Sequence, residues 1–230
     1  MDYLRRLWRV LDERMKKATD IQIIYEDLPL HFRVTRDFIR PEIDKIRIDS
    51  KEVYQSTLDF VQKYTPEVEN VLEYYPGERP IFELFNVEDE IQKALSRKVE
   101  LKSGGYLIMD QTEAMTTIDV NTGAFVGKRN LEETIFKTNL EAVTAIARQL
   151  RLRNLGGIII IDFIDMEDTE HQRQVHRMLE KLLERDHAKS KMTSVSELGL
   201  VEMTRKRTRE SLEQMLTEPC PCCQARGRLK

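Results

Sequence analysis

The sequence predicts a mixed α/β (α+β) fold, because strand-like and helix-like patterns alternate along its 230 residues. Two β-rich segments, 106–110 and 115–121, are separated by a short polar turn, which indicates a hairpin. A long segment with helical spacing follows, and then the unbroken apolar run Ile158–Ile161. Strand, crossover helix and strand in this order predict a parallel pair within one sheet.

The first hundred residues predict a smaller α/β unit of their own. Residues 1–19 carry leucines and Trp8 at helical spacing. The β-rich pieces IQIIYE (21–26) and DKIRIDS (44–50) then mix with helical pieces at 50–64 and 86–98. A Pro/Gly break near Pro76 interrupts this unit.

The second unit begins after the Ser-Gly-Gly sequence at 103–105. A helix is predicted over 130–154, where the doublet Gly156-Gly157 provides a C-terminal signal. The Ile158–Ile161 run is typical of a strand buried on both faces. A second long helix at roughly 168–188, β-like pieces at 192–198 and 199–204, and a basic helix over 205–216 complete the prediction.

The composition excludes several classes of protein. With 40% hydrophobic residues and a net charge of −3, the chain is neither disordered nor uniformly basic. The charged N-terminus has no apolar core of a signal peptide, and no apolar run is long enough for a bilayer, so we expect a cytoplasmic protein without membrane insertion. The sequence also lacks the glycine-rich motifs of nucleotide-binding loops and the serine elbow of hydrolases.

Polar residues stand at the ends of the two strands that we expect to be parallel. Asp119 and Asn121 end one strand, and Asp162 follows the isoleucine run. The carboxyl ends of parallel strands share a sheet edge, where ligand sites collect, and carboxylates there suit Mg²⁺. Residues at i and i+2 face the same side, so Asn121 can share the site. The alternative, that each Asp only caps a turn, remains open at this point.

Three cysteines lie together near the C-terminus, at 220, 222 and 223. The Cys220-x-x-Cys223 spacing is half of a tetrahedral thiolate zinc site, and the sequence has no second pair. A zinc ion would then need two thiolates from a second copy, which predicts a zinc-linked homodimer. Exposed thiols or a redox pair are the alternative.

Basic residues form two groups that could contact phosphates. The first lies near the C-terminus, and the second lies in the segment of the sequence between Asp119 and Asp162. A solvated charged surface is the alternative for either group. The residues that we expect to bind RNA are Lys128, Arg129, Arg148, Arg151, Lys189, Arg205, Lys206 and Arg207.

The run from GGYLIMDQTEAMTTIDVNTGAF to GGIIIIDFIDM, the later LGLVEMTRKRTRES and the final CPCCQARGR resemble the catalytic region of the ribonuclease E/G family. The resemblance runs through essentially the whole chain and is densest over 100–166. It implies that 1–30 is the end of a 5′-sensor region, 31–99 a ribonuclease-H-like subdomain, 100–218 a deoxyribonuclease-I-like catalytic subdomain and 219–230 a zinc-link segment. It also implies that the family's S1-type domain is missing, as in a piece of a longer protein.

The resemblance implies an activity as well. Asp119 and Asp162 would bind Mg²⁺ with help from Asn121, and Cys220 and Cys223 would bind the shared zinc. The expected reaction is Mg²⁺-dependent hydrolysis of single-stranded A/U-rich RNA, including ribosomal RNA precursors and messenger RNA, with 5′-phosphate products. A non-catalytic module that binds RNA and dimerises is the alternative, since the S1-type domain is absent.

Overall fold

The computed structural model describes residues 2–37, 43–123, 131–193, 196, 199–223 and 228–229. Its contacts divide the chain into two compact units, Met1–Val87 and Glu88–Lys230. This border lies before the expected subdomain border at 99/100, because the strand at 98–100 pairs with the next strand of the second unit. The mixed α/β class is confirmed, whereas the four subdomain assignments stay predictions.

The first unit is mostly helical. Its longest elements are α1 (Asp2–Lys17), α2 (Leu30–Asp37) and α3 (Lys51–Tyr64), and a short parallel pair joins β1 (Ile46–Ile48) to β2 (Leu72–Tyr74). A 3₁₀ helix (Pro66–Val71) and the one-turn helix α4 (Ile81–Leu84) complete it. The predicted β-rich piece at 21–26 forms no strand; Ile21 and Ile23 are exposed.

The second unit is built on a six-stranded sheet with the order β3-β4-β5-β6-β8-β7. The bounds of its strands are β3 (Lys98–Glu100), β4 (Tyr106–Gln111), β5 (Met115–Asn121), β6 (Gly157–Asp162), β7 (Ser190–Met192) and β8 (Leu200–Arg205). Only β5 and β6 are parallel; the other pairs, including the predicted β4–β5 hairpin, are antiparallel. Helix α5 (Val87–Ala94) precedes this sheet.

Two helices supply the apolar cover of the sheet. Helix α6 (Leu131–Leu152) makes the predicted crossover between β5 and β6, and α7 (Thr169–Leu183) follows β6. Their buried side chains form one core with alternate residues of the central strands, such as Ile118 and Ile161. The prediction that the isoleucine run is buried on both faces was wrong: Ile158 is 45% exposed, because these helices contribute their apolar side chains to the other face of the strand.

The predicted basic helix over 205–216 is also mostly wrong. Arg205 ends β8 by pairing with the edge strand β7, and only α8 (Leu212–Leu216) is helical. Ser211 and Gln214 form a capping box that fixes this later start. A short pair, β9 (Glu218–Pro219) with β10 (Arg228–Leu229), flanks a 3₁₀ turn at Pro221–Cys223.

Among the described helices, none combines the length and apolar character that a membrane span requires.

Candidate active site

The two candidate carboxylates lie side by side on the sheet. In the parallel pair β5–β6, Asp119 and Asp162 occupy directly paired positions at the carboxyl ends of their strands. Both are exposed, whereas the neighbouring Ile118 and Ile161 are buried beneath the helices. Asn121 is two residues beyond Asp119 and shares its face. We call the face that carries these three residues the open face.

A tight backbone crossing holds this end of β5. Gly123 has a φ of +65°, and a Cβ there would lie 2.3 Å from the carbonyl oxygen of Gly104. A Cβ on Gly105 would lie 2.7 Å from the carbonyl oxygen of Asn121. Only glycine permits so close an approach and adopts the left-handed conformation readily. The glycines therefore fix the chain immediately after Asp119 and Asn121.

The polar side chains interact with one another. The Nδ2 amide of Asn121 donates a hydrogen bond of 2.9 Å to Oδ2 of Asp119. Although Asp162 is exposed, loss of part of its hydration raises its pKa, and the negative charges of Asp119 and Asp165 raise that pKa further. A bound cation would relieve this repulsion, so the electrostatics favour a positive charge at the pair.

The donor set fits a hard cation. It consists of carboxylate and amide oxygens, and within the described part of the chain no group of three or more His, Cys, Asp or Glu residues is placed to hold a metal ion. Mg²⁺ commonly keeps several waters and takes only one or two protein carboxylates together with substrate phosphate. A pair such as Asp119 and Asp162 therefore suits Mg²⁺ better than a metal that needs an all-protein cage.

The basic residues of the crossover segment lie away from this pair where they are described. Arg148 and Arg151 belong to α6, which packs on the opposite face of the sheet, and Arg148 forms a 2.6 Å ion pair with Glu90. Lys128 and Arg129 lie outside the described residues.

The C-terminal basic group lies at the opposite end of the strands. Arg205 of β8 pairs with Gly157, about 16 Å along β6 from Asp162. Lys189, Lys206 and Arg207 are exposed near this end, where the backbone amide of Lys206 donates to the carbonyl oxygen of Lys189. The expected concentration of positive charge around Asp119 and Asp162 is therefore not found among the described residues.

The side chain of Arg205 is enclosed by the protein and binds groups in its interior. Its side chain is 4% exposed and forms two hydrogen bonds, 2.8 and 3.1 Å, with the carboxylate of Asp186, itself 3% exposed. A third nitrogen donates to the carbonyl oxygen of Leu155 at 2.6 Å. Because these contacts engage the guanidinium inside the protein, Arg205 is removed from the expected RNA-binding set.

The cysteines lie after β9. Cys220 is half-buried and Cys222 is exposed, and Pro221–Cys223 forms the 3₁₀ turn. The side chain of Cys223 lies outside what the structure describes, so the zinc ligands stay a prediction.

Two residues that the sequence analysis did not select share the open face. Tyr106 pairs with Asn121 across the hairpin, and Lys98 of β3 lies over the ring of Tyr106. The hairpin register was the signal that could have identified Tyr106, because it aligns the first residue of β4 with the last residue of β5.

Comparison with known proteins decides the family. The sequence model described as "Ribonuclease E/G family" matches residues 1–208. The chain belongs to the ribonuclease E/G family. It is 59% identical over 228 residues to ribonuclease G of Escherichia coli strain K12, covering 99% of this chain and 47% of that protein. It is 36% identical over 223 residues to ribonuclease E of Haemophilus influenzae, covering 97% of this chain and 24% of that protein.

A plant relative extends the comparison. The chain is 41% identical over 199 residues to a chloroplastic ribonuclease E/G-like protein of Arabidopsis thaliana, covering 86% of this chain and 20% of that protein. The chain spans about half the length of the ribonuclease G relatives that it matches. The family resemblance is thus confirmed, and it runs through both compact units.

Proposed function

We propose that the chain is the catalytic part of an endoribonuclease that hydrolyses phosphodiester bonds of single-stranded RNA with the help of Mg²⁺. The relatives are named ribonuclease G and ribonuclease E, which gives the reaction class. The observation that carries the proposal is the alignment of Asp119 with Asp162 on adjacent parallel strands of an open face.

Each residue of this site has a separate role. Asp119 and Asp162 would hold Mg²⁺, which when bound supplies Lewis-acid stabilisation of the charge that develops on the scissile phosphate. Asn121 donates one hydrogen bond to Asp119 and so fixes the orientation of that carboxylate. The second N–H and the oxygen of its side-chain amide would orient the attacking water or a phosphate oxygen.

The proposed substrates are A/U-rich single-stranded RNAs, including ribosomal RNA precursors and messenger RNA in the cytoplasm. Cleavage would leave a 5′-phosphate on one product and a 3′-hydroxyl on the other. Of the basic residues that we expected at the RNA, Lys128, Arg129, Arg148, Arg151, Lys189, Lys206 and Arg207 remain candidates. Among those that the structure describes, Lys189, Lys206 and Arg207 are exposed without lying near Asp162, so they suit parts of a long RNA away from the cut.

We also propose the zinc link between two copies of the chain. Cys220 and Cys223 from each copy would complete a four-thiolate site, with Zn²⁺ in a structural role.

The test of the catalytic site uses Asp119→Asn and Asp162→Asn. Either change removes a negative oxygen donor while nearly preserving side-chain shape, so we expect cleavage of a 5′-monophosphorylated RNA oligonucleotide to fall at least about 100-fold. The control is Glu180→Gln, which removes an exposed carboxylate from α7, on the other side of the sheet. Thermal unfolding with and without Mg²⁺ gives a second readout, since Mg²⁺ should stabilise only proteins that retain both aspartates.

Cleavage at the wild-type rate in either variant would contradict the proposed roles. Retention of RNA by the wild-type chain without any Mg²⁺-dependent cleavage would instead favour an RNA-binding and dimerisation module.

A further inference from the structure

An aromatic ring lies beside the aspartate pair. Tyr106 begins β4 and pairs directly with Asn121 in the antiparallel hairpin, so the two side chains share the open face. Directly opposite side chains have Cβ atoms about 4.5–5.5 Å apart, and diagonal neighbours such as Tyr106 and Asp119 lie about 7–8 Å apart. A tyrosine ring spans such distances, and Tyr106 is only half-buried.

A lysine of the neighbouring strand contacts the ring of Tyr106. The Nζ of Lys98 lies 4.2 Å from the ring centroid of Tyr106, a cation–π contact. Lys98 belongs to β3, which borders β4 on the side opposite β5, and it also forms a 2.6 Å ion pair with Glu100. Lys98 therefore reaches the ring from the strand that does not carry Asn121 and Asp119.

The surroundings favour a base over a phosphate as the partner of this ring. The open face near the pair carries the carboxylate of Glu202 besides the aspartates themselves. The cations nearest to it, Arg97 and Lys98, are already paired with Asp110 and Glu100, so they offer a polyanion little free positive charge. An aromatic ring can bind a nucleic acid there through the face of a base, which carries no charge. In the described part of the second unit Tyr106 is the only aromatic residue on the open face, because Phe136 stacks on His171 in the helical layer and Phe163 is buried.

We propose that Tyr106 is a base-stacking platform for the RNA nucleotide next to the scissile phosphate, and that Lys98 is the positioning residue that orients its ring. This inference rests on the proposed function, because it places the base relative to the Asp119–Asp162 pair. Stacking on one ring is tolerant of base identity, so Tyr106 would fix the position of the strand rather than read its sequence.

The experiment measures the coupling between this ring and one base. Single abasic sites are moved along a single-stranded RNA oligonucleotide, and binding is measured by fluorescence anisotropy in a chelator, where no cleavage occurs. For the wild-type chain we expect one position beside the cleavage site to weaken binding about 5- to 150-fold when its base is removed. Tyr106→Ala should weaken binding of the intact RNA by a similar factor and abolish the extra effect at that position.

Two variants serve as controls. Tyr106→Phe keeps the ring and should bind like the wild-type chain. Met115→Ala truncates an exposed residue at the far end of β5 on the same face and should leave the abasic profile unchanged. Lys98→Met should weaken binding less than Tyr106→Ala, since the ring itself remains.

Wild-type affinity and an unchanged abasic profile in Tyr106→Ala would overturn the inference. The inference would also be overturned if Tyr106→Ala weakened binding to every abasic RNA by the same factor as binding to the intact RNA. A general structural defect affects every RNA alike, whereas loss of a stacking ring does not. Absence of cleavage in Mg²⁺ by the wild-type chain would refute the proposed function separately, since the stacking measurement needs no cleavage.

Discussion

At the scale of the residue, Asp162 shows a conflict between binding and stability. Although the residue is exposed, the surrounding protein removes part of the hydration of its carboxylate, and this desolvation and the negative charges of Asp119 and Asp165 together raise its pKa. A carboxyl group whose pKa is raised by folding destabilises the folded state once it ionises. Such a cost is expected where a site is built to receive a cation.

We therefore predict that Asp162→Asn stabilises the chain at neutral pH in the absence of divalent cations. The unfolded chain loses the proton of Asp162 near its ordinary pKa of 3.8, whereas the folded state retains it to higher pH, so stability falls as pH rises through this window. The variant should have a higher unfolding midpoint at pH 7, and the difference should vanish below about pH 2.5, where the carboxyl group is protonated in both states.

Thermal unfolding in a chelator at both pH values measures this effect. Glu180→Gln, which neutralises an exposed carboxylate on α7, is the control and should show no such gain. A lower midpoint for Asp162→Asn at pH 7 would contradict the assigned origin of the shift.

At the scale of the element, the sequence was a better guide to which segments pair than to which faces of the sheet the helices cover. The β4–β5 hairpin and the α6 crossover follow from local patterns, and their register brings Asp119 beside Asp162. Four successive isoleucines contain no alternation, so the run could not reveal that α6 and α7 cover one face only.

The basic group shows the same limit. Charge clustering along the chain does not reveal which strand end a residue occupies, and it gave no sign that Arg205 is enclosed by Asp186 and Leu155. Strand pairing with β7 also overrode the helical pattern of the segment that begins at Arg205. These features depend on contacts between residues distant in sequence.

The buried pair of Arg205 and Asp186 leads to a prediction about stability. Removing Arg205 leaves a buried carboxylate without its partner, so Arg205→Ala should lower the free energy of unfolding by about 3–5 kcal/mol. Lys206→Ala, at the neighbouring exposed position, should change it little. Urea unfolding at pH 7 compares the two variants.

The pair also has a defined pH dependence. Burial alone would raise the pKa of Asp186, but hydrogen bonds from Arg205 and from the Ala188 amide outweigh it and lower that pKa. The stabilisation by the ionised form is therefore present at neutral pH and is lost as pH falls through the lowered pKa, below 3.8. If Arg205→Ala and Lys206→Ala were equally stable at pH 7, the pair would have no structural role.

At the scale of the whole molecule, the charge is distributed differently from the sequence expectation. The first hundred residues carry 17 basic and 21 acidic residues, so the remainder is slightly basic. The described basic residues of the second unit that we expected at the RNA lie on α6 or at the far end of the sheet from Asp162. We therefore expect two separate surfaces: these basic residues would attract the RNA, and the aspartates would position the cut.

The proposed zinc link would determine how many such surfaces act together, and the zinc stoichiometry is its sharpest prediction. Four thiolates shared by two chains require about half a zinc ion per chain. Cys220→Ser should abolish both the bound zinc and the dimer, whereas Cys222→Ser, at the exposed position between the two ligands, should keep both. Elemental analysis gives the zinc content and light scattering gives the mass. One zinc ion per monomeric chain, or a zinc-containing dimer of Cys220→Ser, would refute the shared site, because neither is compatible with two thiolates from each copy.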